Sequence, residues 1–238
     1  MKIGVIVAME KEFVQLRTLL DDATTERHHR KDFVTGQISG NTIIMQQCGI
    51  GKVNAAIGTV EMIDNYQPDL IVSTGVAGGA DVNMNVMDVV VSNECAYHDV
   101  YCGSEVAYGQ LLGTPARFRS PKELIGKAVG IFNSQQPAPG GQDTTIHPGL
   151  IVTGDWFVDK KEKMMAILEN FPEAKAVDME SCAIAHTCHV YGVPFVSFRI
   201  ISDIPLKDTD ASQYFDFWAR LAEGSFRVTK RFLEELGE

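Results

Sequence analysis

Residues 174–203 read AKAVDMESCAIAHTCHVYGVPFVSFRIISD, and this stretch decides the fold that we expect. Its pattern predicts a short strand over residues 174–177 and a helix over residues 181–191, which ends before a glycine that suits a helix C-terminus. Residues 193–201 form a nearly continuous apolar run with β-branched and aromatic side chains, which is typical of a strand buried on both faces of a parallel sheet. The stretch therefore predicts a strand–helix–strand unit.

Each of these two strands is followed by a carboxylate, Glu180 after the first strand and Asp203 at the end of the second. We expect both carboxylates to project from the carboxyl edge of one parallel sheet, where open α/β sheets bind ligands. Two acids at such an edge favour an acid/base site, and the alternative is that they are ordinary acids of a loop or a helix start. Arg199 lies within the apolar strand, and because a buried arginine needs a carboxylate partner, we expect it to orient a nearby acid.

The rest of the chain also alternates strands with helices. Strands are predicted over residues 1–7, 32–39, 41–47, 69–74, 88–92 and 150–153, and helices over residues 11–20, 52–65, 122–132, 159–170 and 211–236. The second and third of these strands form a hairpin, which makes the sheet mixed. Residues 133–149 are rich in Gln, Pro and Gly, and we expect a surface loop there rather than a domain boundary. We therefore predict an α/β fold, a single three-layer α/β/α domain over residues 1–238 around a central mixed β-sheet.

Composition excludes several classes of protein. The 238 residues are 45% hydrophobic and 22% charged, which is typical of a globular protein. Their formal net charge of -10 is unsuited to binding nucleic acid. The short basic run at residues 27–31 is expected to be a solvated loop. No stretch has the length of a membrane span, and residues 1–10 favour a strand over a signal peptide. The five cysteines form no CxxC motif, which predicts reduced thiols and a cytoplasmic location.

Three further features lie next to predicted strand ends. Glu12 falls in the first turn of a helix, where the helix dipole favours an acid whether or not it has a chemical role. Residues 48–52, CGIGK, match neither a P-loop nor a complete dinucleotide fingerprint, so they form either a tight turn or a close approach to a ligand. Residues 75–79, GVAGG, are expected to form a turn whose backbone N–H groups can face a ligand, but no Lys or Arg accompanies them to bind free phosphate.

Two groups of residues have both a chemical and a structural interpretation. Cys182, His186 and His189 share one face of the predicted helix, where they could bind a metal ion. This ligand set is incomplete and the helix is otherwise apolar, so we expect packing residues and no metal. His98 and Asp99 are either a catalytic pair or a structural hydrogen bond.

Three segments carry a resemblance to a known family: IVAMEKE (6–12), STGVAGG (73–79), and AVDMESCAIAH (176–186) with RIISD (199–203). They resemble the 5′-methylthioadenosine/S-adenosylhomocysteine nucleosidases of the purine nucleoside phosphorylase superfamily. The resemblance extends over almost the whole chain and includes CGIGKVNAA (48–56), YHD (97–99), YGQL (108–111), TGDWF (153–157) and YGVPF (191–195). The joint order and spacing of these strings is specific, and it implies a nucleoside phosphorylase/hydrolase-like fold.

The resemblance implies a role for each carboxylate. Glu12 activates the attacking water, and Glu180 holds the ribose hydroxyls with Met179 against the sugar. Asp203, positioned by Ser202, is the acid that serves purine N7. The chemistry agrees, because an N-ribosidic bond breaks through an oxocarbenium-like sugar and adenine leaves readily once N7 is protonated. Asp203 must therefore hold a proton while Glu12 stays ionised, and bound water requires no cofactor.

The same resemblance implies the other residues of the substrate pocket. Phe157 stacks on adenine, and the backbone of Val158 hydrogen-bonds the edge of the base. Ile50 and Phe215 lie near the ribose and the 5′ group. The remaining substrate-binding positions are Ala8, Met9, Val76, Ala77, Gly78, Val177 and Arg199.

The predicted function is hydrolysis of the N-ribosidic bond of 5′-modified adenosines (5′-methylthioadenosine, S-adenosylhomocysteine and 5′-deoxyadenosine) with release of adenine. The alternatives are a purine nucleoside phosphorylase, which uses phosphate, and a non-catalytic nucleoside-binding protein. Hydrolysis is favoured because residues 73–79 lack the arginine of related phosphorylases and Glu12 repels phosphate. In the family a neighbouring subunit closes the 5′ pocket, so a homodimer is implied, with Tyr101 and Pro115 in the matching region.

The chain departs from the family pattern at four places. Val76 stands where the family usually has Ser, and Asp178 replaces the usual Glu two residues before the ribose-binding carboxylate. Trp156 is larger than the usual small residue. Residues 100–106 are shorter than the family's segment, with Tyr101 in place of its usual Phe. The last two changes lie near the substrate pocket and bear on which 5′ substituent is accepted.

Overall fold

The computed structural model describes residues 1–133, 144–207, 212–220 and 226–237. Its strands are β1 (Lys2–Val7), β2 (Asp21–His28), β3 (Lys31–Ile38), β4 (Asn41–Gln47), β5 (Leu70–Gly79), β6 (Val89–Tyr97), β7 (Phe118–Arg119), β8 (Ile146–Thr153), β9 (Ala174–Asp178) and β10 (Phe195–Asp203). Its helices are α1 (Glu10–Arg17), α2 (Lys52–Tyr66), α3 (Lys122–Asn133), α4 (Lys161–Asn170), α5 (Ser181–Tyr191), α6 (Ser212–Arg220) and α7 (Arg227–Glu235). No helix within these ranges has the length and apolar character that crossing a bilayer requires.

The described strands form one mixed sheet in the order β10-β6-β8-β9-β5-β1-β4-β3-β2, with β7 paired to β6. β10 also pairs with β5, so β5, β10, β6, β8 and β9 pair in a closed ring. β1 and β10 run parallel to β5, whereas β9 runs antiparallel to it. The predicted α/β fold with a central mixed sheet is therefore confirmed.

Helices cover both faces of this sheet, and β1 illustrates why. Successive side chains of a strand point to opposite faces, so Ile3 joins the apolar cluster that contains Phe13 of α1 and Phe232 of α7. Ile6 joins the other cluster, which contains Met62 of α2 and much of α5. Each buried side chain of this size contributes about 1.5–3 kcal/mol to stability, which explains why an apolar strand needs a helix on each face.

The glycine-rich residues 75–79 lie inside β5, so the prediction of a turn there is wrong. Gly75 pairs with Arg199 of β10, and Gly79 pairs with Ala176 of β9. A Cβ atom on Gly75 would lie only 2.4 Å from Nη1 of Arg199. Gly75 therefore lets the side chains of Arg199 and Glu12 approach the backbone of β5 closely. A glycine in a sequence can indicate either such a close approach or a turn.

The strand β2 is absent from the sequence prediction, and residues 27–31 are not a solvated loop. They form the end of β2, the turn, and the start of β3, with Arg27 paired to Asp32 and His28 paired to Lys31. Seven of the eight side chains of β2 are exposed, so the alternation of apolar and polar residues that identifies a half-buried strand is missing.

Two other predicted segments are divided differently. The helix predicted over residues 211–236 consists, in its described part, of α6 and α7, while residues 211 and 221–225 lie outside the described residues. A loop was predicted over residues 133–149, but residues 146–149 belong to β8, which begins at Ile146. Residues 134–143 of that predicted loop lie outside the described residues.

The sequence predicted that Glu180 and Asp203 project from the edge of one parallel sheet, and this prediction is wrong. Their strands run in opposite directions, because β9 is antiparallel and β10 is parallel to β5. The strand ends nevertheless meet, since Val177 of β9 and Asp203 of β10 both pair with Gly78 of β5. The central strand β5 therefore brings the ends of two oppositely directed strands to one point.

Candidate active site

A cavity of about 110 Å³ lies beside this point, between the ends of the three strands, α1 and residues 156–158. Most of the residues that the sequence predicted for the site line it: Ala8, Met9, Glu12, Ile50, Val76, Ala77, Gly78, Phe157, Val158, Val177, Met179, Glu180, Ser202 and Asp203. Trp156, Asp178 and Tyr214 complete the lining, although they were not predicted as site residues. The structure thus brings the carboxylates together with the aromatic and glycine-rich segments.

Glu12 reaches the cavity from the first turn of α1 and is only 1% exposed. Its Oε2 accepts hydrogen bonds from the backbone N–H groups of Met9 (3.0 Å) and Ala8 (3.2 Å). Its Oε1 accepts from the N–H of Val76 at 3.0 Å. Burial raises the pKa of Glu12, while Arg199 and the three backbone donors oppose this rise.

Glu180 occupies the N-cap position of α5 and is also buried. Its Oε1 accepts a hydrogen bond of 2.9 Å from the backbone N–H of Gly51, and its Oε2 lies 3.8 Å from Nη2 of Arg199. Burial raises the pKa of Glu180 to about 7, an effect that Arg199 opposes and the negative charge of Asp178 reinforces. The CGIGK segment therefore directs a backbone donor to this carboxylate.

Asp203 ends β10 and is 6% exposed. The pairing register with β5 shifts between Ile201 and Asp203, and such an irregularity changes the direction in which a side chain points. Oγ of Ser202 lies 2.5 Å from Oδ1 of Asp203 and 3.2 Å from the carbonyl oxygen of Ala77. The carboxyl group of Asp203 thus has a hydroxyl partner, whereas Glu12 has backbone amide partners.

Arg199 lies behind the cavity wall instead of on it. Its Nε is 2.7 Å from Oδ2 of Asp178, and its Nη2 donates to Oγ of Ser73 at 3.0 Å. The side chains of Arg199 and Asp178 are each 1% exposed. The structure therefore supports the expectation that this arginine pairs with carboxylates, and its nearest carboxylate is Asp178 rather than Glu180.

Comparison with known proteins identifies the family of this chain. The sequence profile of the phosphorylase superfamily matches residues 2–234. A 5′-methylthioadenosine/S-adenosylhomocysteine nucleosidase from Chromohalobacter salexigens is 38% identical over 239 residues, which cover 99% of this chain and 98% of that protein. The chain belongs to this nucleosidase family. It is accordingly an enzyme of the N-glycosidase class, as the sequence resemblance implied.

Solved structures of related nucleosidases share the fold. The nucleosidase from Colwellia psychrerythraea, in complex with adenine, is 37% identical with a TM-score of 0.89, over 99% of this chain and 96% of that chain. The nucleosidase from Neisseria meningitidis, in complex with methylthio-immucillin-A, is 35% identical with a TM-score of 0.89, over 98% of this chain and 99% of that chain. The similarity therefore spans the sheet, the helices and the cavity of the nucleosidase.

Aromatic side chains form one side of the nucleosidase cavity. The ring of Phe157 meets that of Tyr214 edge-on at 5.2 Å between centroids, and Trp156 lies on the same side. Phe215, which the sequence predicted for the pocket, contacts the ring of Tyr214 at 5.6 Å but is 65% exposed and does not line the cavity. Val158 is buried and follows Phe157 along the wall.

Tyr101 and Pro115 lie away from the cavity within a single chain of the nucleosidase. Tyr101 is 68% exposed, with its ring 6.1 Å from that of Tyr108. Pro115 borders a second, larger cavity of about 760 Å³, which is also lined by Phe118 and His189. Neither residue lines the cavity that contains the three carboxylates.

The two remaining groups of candidate residues have structural contacts. His186 stacks on Phe118 at 4.7 Å between centroids, and its Nδ1 lies 3.1 Å from the hydroxyl of Tyr97, as expected of a packing residue. His98 and Asp99, interpreted from the sequence as either a catalytic pair or a structural hydrogen bond, form no hydrogen bond with each other through their side chains. Asp99 instead accepts hydrogen bonds from Lys52, and within the described part of the chain neither ring nitrogen of His98 has a hydrogen-bond partner.

The residues that sequence reasoning missed gave different signals. Asp178 is the last residue of the short strand β9, at the same strand end that Glu180 follows, so its position gave the same signal as that of Glu180. Tyr214 lies in an amphipathic helix that has no motif of its own, so its pattern indicated only a helix face. The arrangement as a whole surrounds one small cavity with carboxyl groups in different environments, which allows them to hold different protonation states.

Proposed function

We propose that this nucleosidase hydrolyses the N-ribosidic bond of 5′-modified adenosines and releases adenine. Its substrates are 5′-methylthioadenosine, S-adenosylhomocysteine and 5′-deoxyadenosine. The observation that carries the proposal is the grouping of Glu12, Glu180 and Asp203 around one cavity, each with a different set of hydrogen-bond partners. Cleavage of an N-ribosidic bond needs one acid, one base and one group that favours positive charge on the sugar.

Asp203 is the acid in this mechanism. Its carboxyl group donates a proton to N7 of adenine, so the base leaves as a neutral molecule rather than an anion. The contact of 2.5 Å between Ser202 Oγ and Asp203 Oδ1 orients the carboxyl group toward the cavity.

Glu12 is the base in this mechanism and takes a proton from the attacking water. Three backbone N–H groups hold its two oxygens, and together with Arg199 they oppose the rise in the pKa of Glu12 that burial causes. Glu12 and Asp203 need opposite protonation states in this mechanism: Glu12 must be ionised when Asp203 is protonated. The water attacks the anomeric carbon as the bond to adenine breaks.

Glu180 binds the ribose in this mechanism. Its carboxylate accepts hydrogen bonds from the 2′- and 3′-hydroxyls and favours the positive charge that develops on the sugar ring. The N–H of Gly51 and the guanidinium of Arg199 hold it in place. Met179 lies against the sugar, Phe157 stacks on adenine, and the backbone of Val158 hydrogen-bonds the edge of the base.

Hydrolysis is favoured over phosphorolysis by the charge of the cavity. Every charged residue among its described lining residues is an acid, namely Glu12, Asp178, Glu180 and Asp203. Arg199 lies behind them and pairs with Asp178 at 2.7 Å. Phosphate binding requires positive groups directed at the ligand, and this lining instead repels an anion.

We also propose that the nucleosidase is a cytoplasmic homodimer. Large apolar side chains are exposed on α2, α5 and the segment between β6 and β7, among them Val53 (69%), Val190 (69%) and Tyr101 (68%). Exposed apolar surface of this kind is typical of an interface, and a second copy that covers it brings Tyr101 and Pro115 toward the partner's cavity. The five cysteines are all free, which agrees with a reducing compartment.

One assay tests the proposed reaction against its alternatives. Adenine release is measured from 5′-methylthioadenosine, S-adenosylhomocysteine, 5′-deoxyadenosine and an aminofutalosine-type nucleoside, each with and without phosphate. We expect release without phosphate and a free sugar as the second product. An absolute phosphate requirement with a sugar 1-phosphate product would instead identify a phosphorylase, and adenosine binding without turnover would identify a non-catalytic binding protein.

A further inference from the structure

Three segments of the chain meet behind the cavity through a compact set of charged contacts. Nζ of Lys52 lies 2.7 Å from both carboxylate oxygens of Asp99. Oδ2 of Asp99 accepts a hydrogen bond of 2.9 Å from the backbone N–H of Asp155. Oδ1 of Asp155 accepts one of 2.8 Å from the backbone N–H of Lys52. We call this closed set of contacts among Lys52, Asp99 and Asp155 the charged clamp.

Two of the three segments carry groups of the cavity. Gly51, next to Lys52, donates its N–H to Glu180, and Asp155 directly precedes Trp156 and Phe157. The two segments are in contact, because a Cβ atom on Gly51 would lie 3.0 Å from Oδ1 of Asp155. The charged clamp therefore joins the backbone that holds the ribose-binding carboxylate to the wall that holds the base.

The third segment, which contains His98 and Asp99, is largely buried where it contacts the other two. The side chain of Asp99 is 9% exposed and that of Lys52 is 22% exposed, so solvent screens their attraction less than at an open surface. His98 is buried, and its ring meets that of Trp156 at 5.2 Å between centroids. A Cβ atom on Gly154 would lie 2.4 Å from Cε1 of His98, so the glycine lets this loop rest directly on the imidazole.

We propose that Lys52 and Asp99 are positioning residues of the reaction, which keep the Glu180 support and the Phe157 wall at a fixed separation. Neither residue lines the cavity, so each acts only through its neighbours. The proposal rests on the proposed function of the cavity. A reaction at the bond between sugar and base needs both halves of the substrate held together, and a displacement of about 1 Å can cost roughly 100-fold in rate.

The test uses full-length variants and a matched control. Lys52→Met and Asp99→Asn remove one partner each, and the double variant removes both. Lys230→Met removes a lysine from an exposed pair with Glu234 on α7 and serves as the control. Lys52→Arg keeps the positive charge and tests rescue. Kinetic constants for 5′-methylthioadenosine are measured well below the melting temperature of each variant.

We expect each single variant to lose about tenfold in kcat/KM, with a rise in KM, and Lys52→Arg to keep more activity than Lys52→Met. The double variant should lose no more than the worse single variant, because both substitutions break one set of contacts. Unchanged kcat/KM with a lower melting temperature would show a merely structural pair and overturn the proposal. Additive losses, or losses equal to that of Lys230→Met, would also overturn it.

Binding of adenine separates this inference from the proposed function. If the wild-type protein releases adenine from no nucleoside, the proposed function fails, and titration calorimetry with adenine still tests the charged clamp. We expect at least fivefold weaker adenine binding for Lys52→Met and Asp99→Asn than for Lys230→Met, because both variants loosen the Phe157 wall. Equal adenine affinity in all variants would overturn the clamp whatever the reaction is.

Discussion

Arg199 is held against Asp178, with its Nε 2.7 Å from Oδ2 of the carboxylate and both side chains 1% exposed. Thr153 and Ser181 donate hydroxyl hydrogen bonds to the same carboxylate. The guanidinium of Arg199 therefore lies closer to Asp178, at 2.7 Å, than to Glu180, at 3.8 Å. Asp178 thus competes with Glu180, the proposed ribose-binding group, for one positive charge.

Asp178→Asn should lower the free energy of unfolding by about 2–3 kcal/mol. Breaking a buried ion pair usually costs about 3–5 kcal/mol, and Arg199 keeps a second carboxylate nearby in Glu180, which reduces the cost. Urea unfolding measures the change, with Asp159→Asn in the exposed pair with Lys163 as the control. A loss no larger than that of the control would contradict the importance of the buried pair.

The pH dependence of kcat/KM should report the ionisation of Glu180. Burial raises the pKa of Glu180 to about 7, so this carboxyl group is mostly protonated below pH 7 and mostly ionised above it. The proposed role requires the carboxylate, and kcat/KM reports the free enzyme, so activity should fall as the pH is lowered through about 7. A profile that stays flat down to pH 5 would exclude this role.

The same profile should move to lower pH in Asp178→Asn. The negative charge of Asp178 contributes to the raised pKa of Glu180, and its removal also frees Arg199 to pair with Glu180. Both effects favour the ionised glutamate, so the acidic limb of kcat/KM should shift downward, while Asp159→Asn leaves it unchanged. An acidic limb that stays in place would mean that another group controls it.

Glu12→Gln and Asp203→Asn should each abolish measurable turnover while the protein stays folded. General acid or base catalysis contributes about 10²–10⁴-fold, and each amide keeps the shape of the carboxyl group without its proton transfer. Adenine release, circular dichroism and adenine titration are measured together on each variant. Near-normal rates in either variant would refute the role assigned to that residue.

Gly75→Ala should disrupt the active site by displacing Arg199 and Glu12. A Cβ atom at this position would lie 2.4 Å from Nη1 of Arg199 and 2.7 Å from Oε1 of Glu12, so both groups must move. Overpacking of this kind costs about 1–3 kcal/mol, and we expect a loss of at least 100-fold in kcat from the displaced base. Gly126→Ala in α3, where nothing lies within 4 Å of the added atom, is the matched control. Equal activity in the two variants would contradict this account.

The sequence predicted the parts of the fold that periodicity and helix ends specify. The bounds of α5 were predicted correctly, because its apolar pattern ends at Gly192, which adopts the left-handed conformation with φ of 71°. Local pattern cannot specify which strands pair, so it assigned one direction to β9 and β10, which run in opposite directions. The exposed strand β2 has no buried face, so no pattern marked it.

The candidate site was predictable only in part for a similar reason. Glu180 and Asp203 stood out because they follow apolar strands, whereas Glu12 looked like a common acid of a helix start until the family resemblance gave it a role. The position of Arg199 behind the wall depends on its register with Gly75, which no local pattern contains. Phe215 lies outside the wall because its neighbour Tyr214 occupies that place.

The closed ring of strands also determines when the cavity can form during folding. Gly78 of β5 pairs with Asp203 of β10, a residue more than a hundred positions later in the chain. Contacts of such long sequence separation form slowly, because the intervening chain must be ordered before they are gained. Adenine binding should therefore return only in the last phase of refolding, which makes the ligand a reporter of the complete native state.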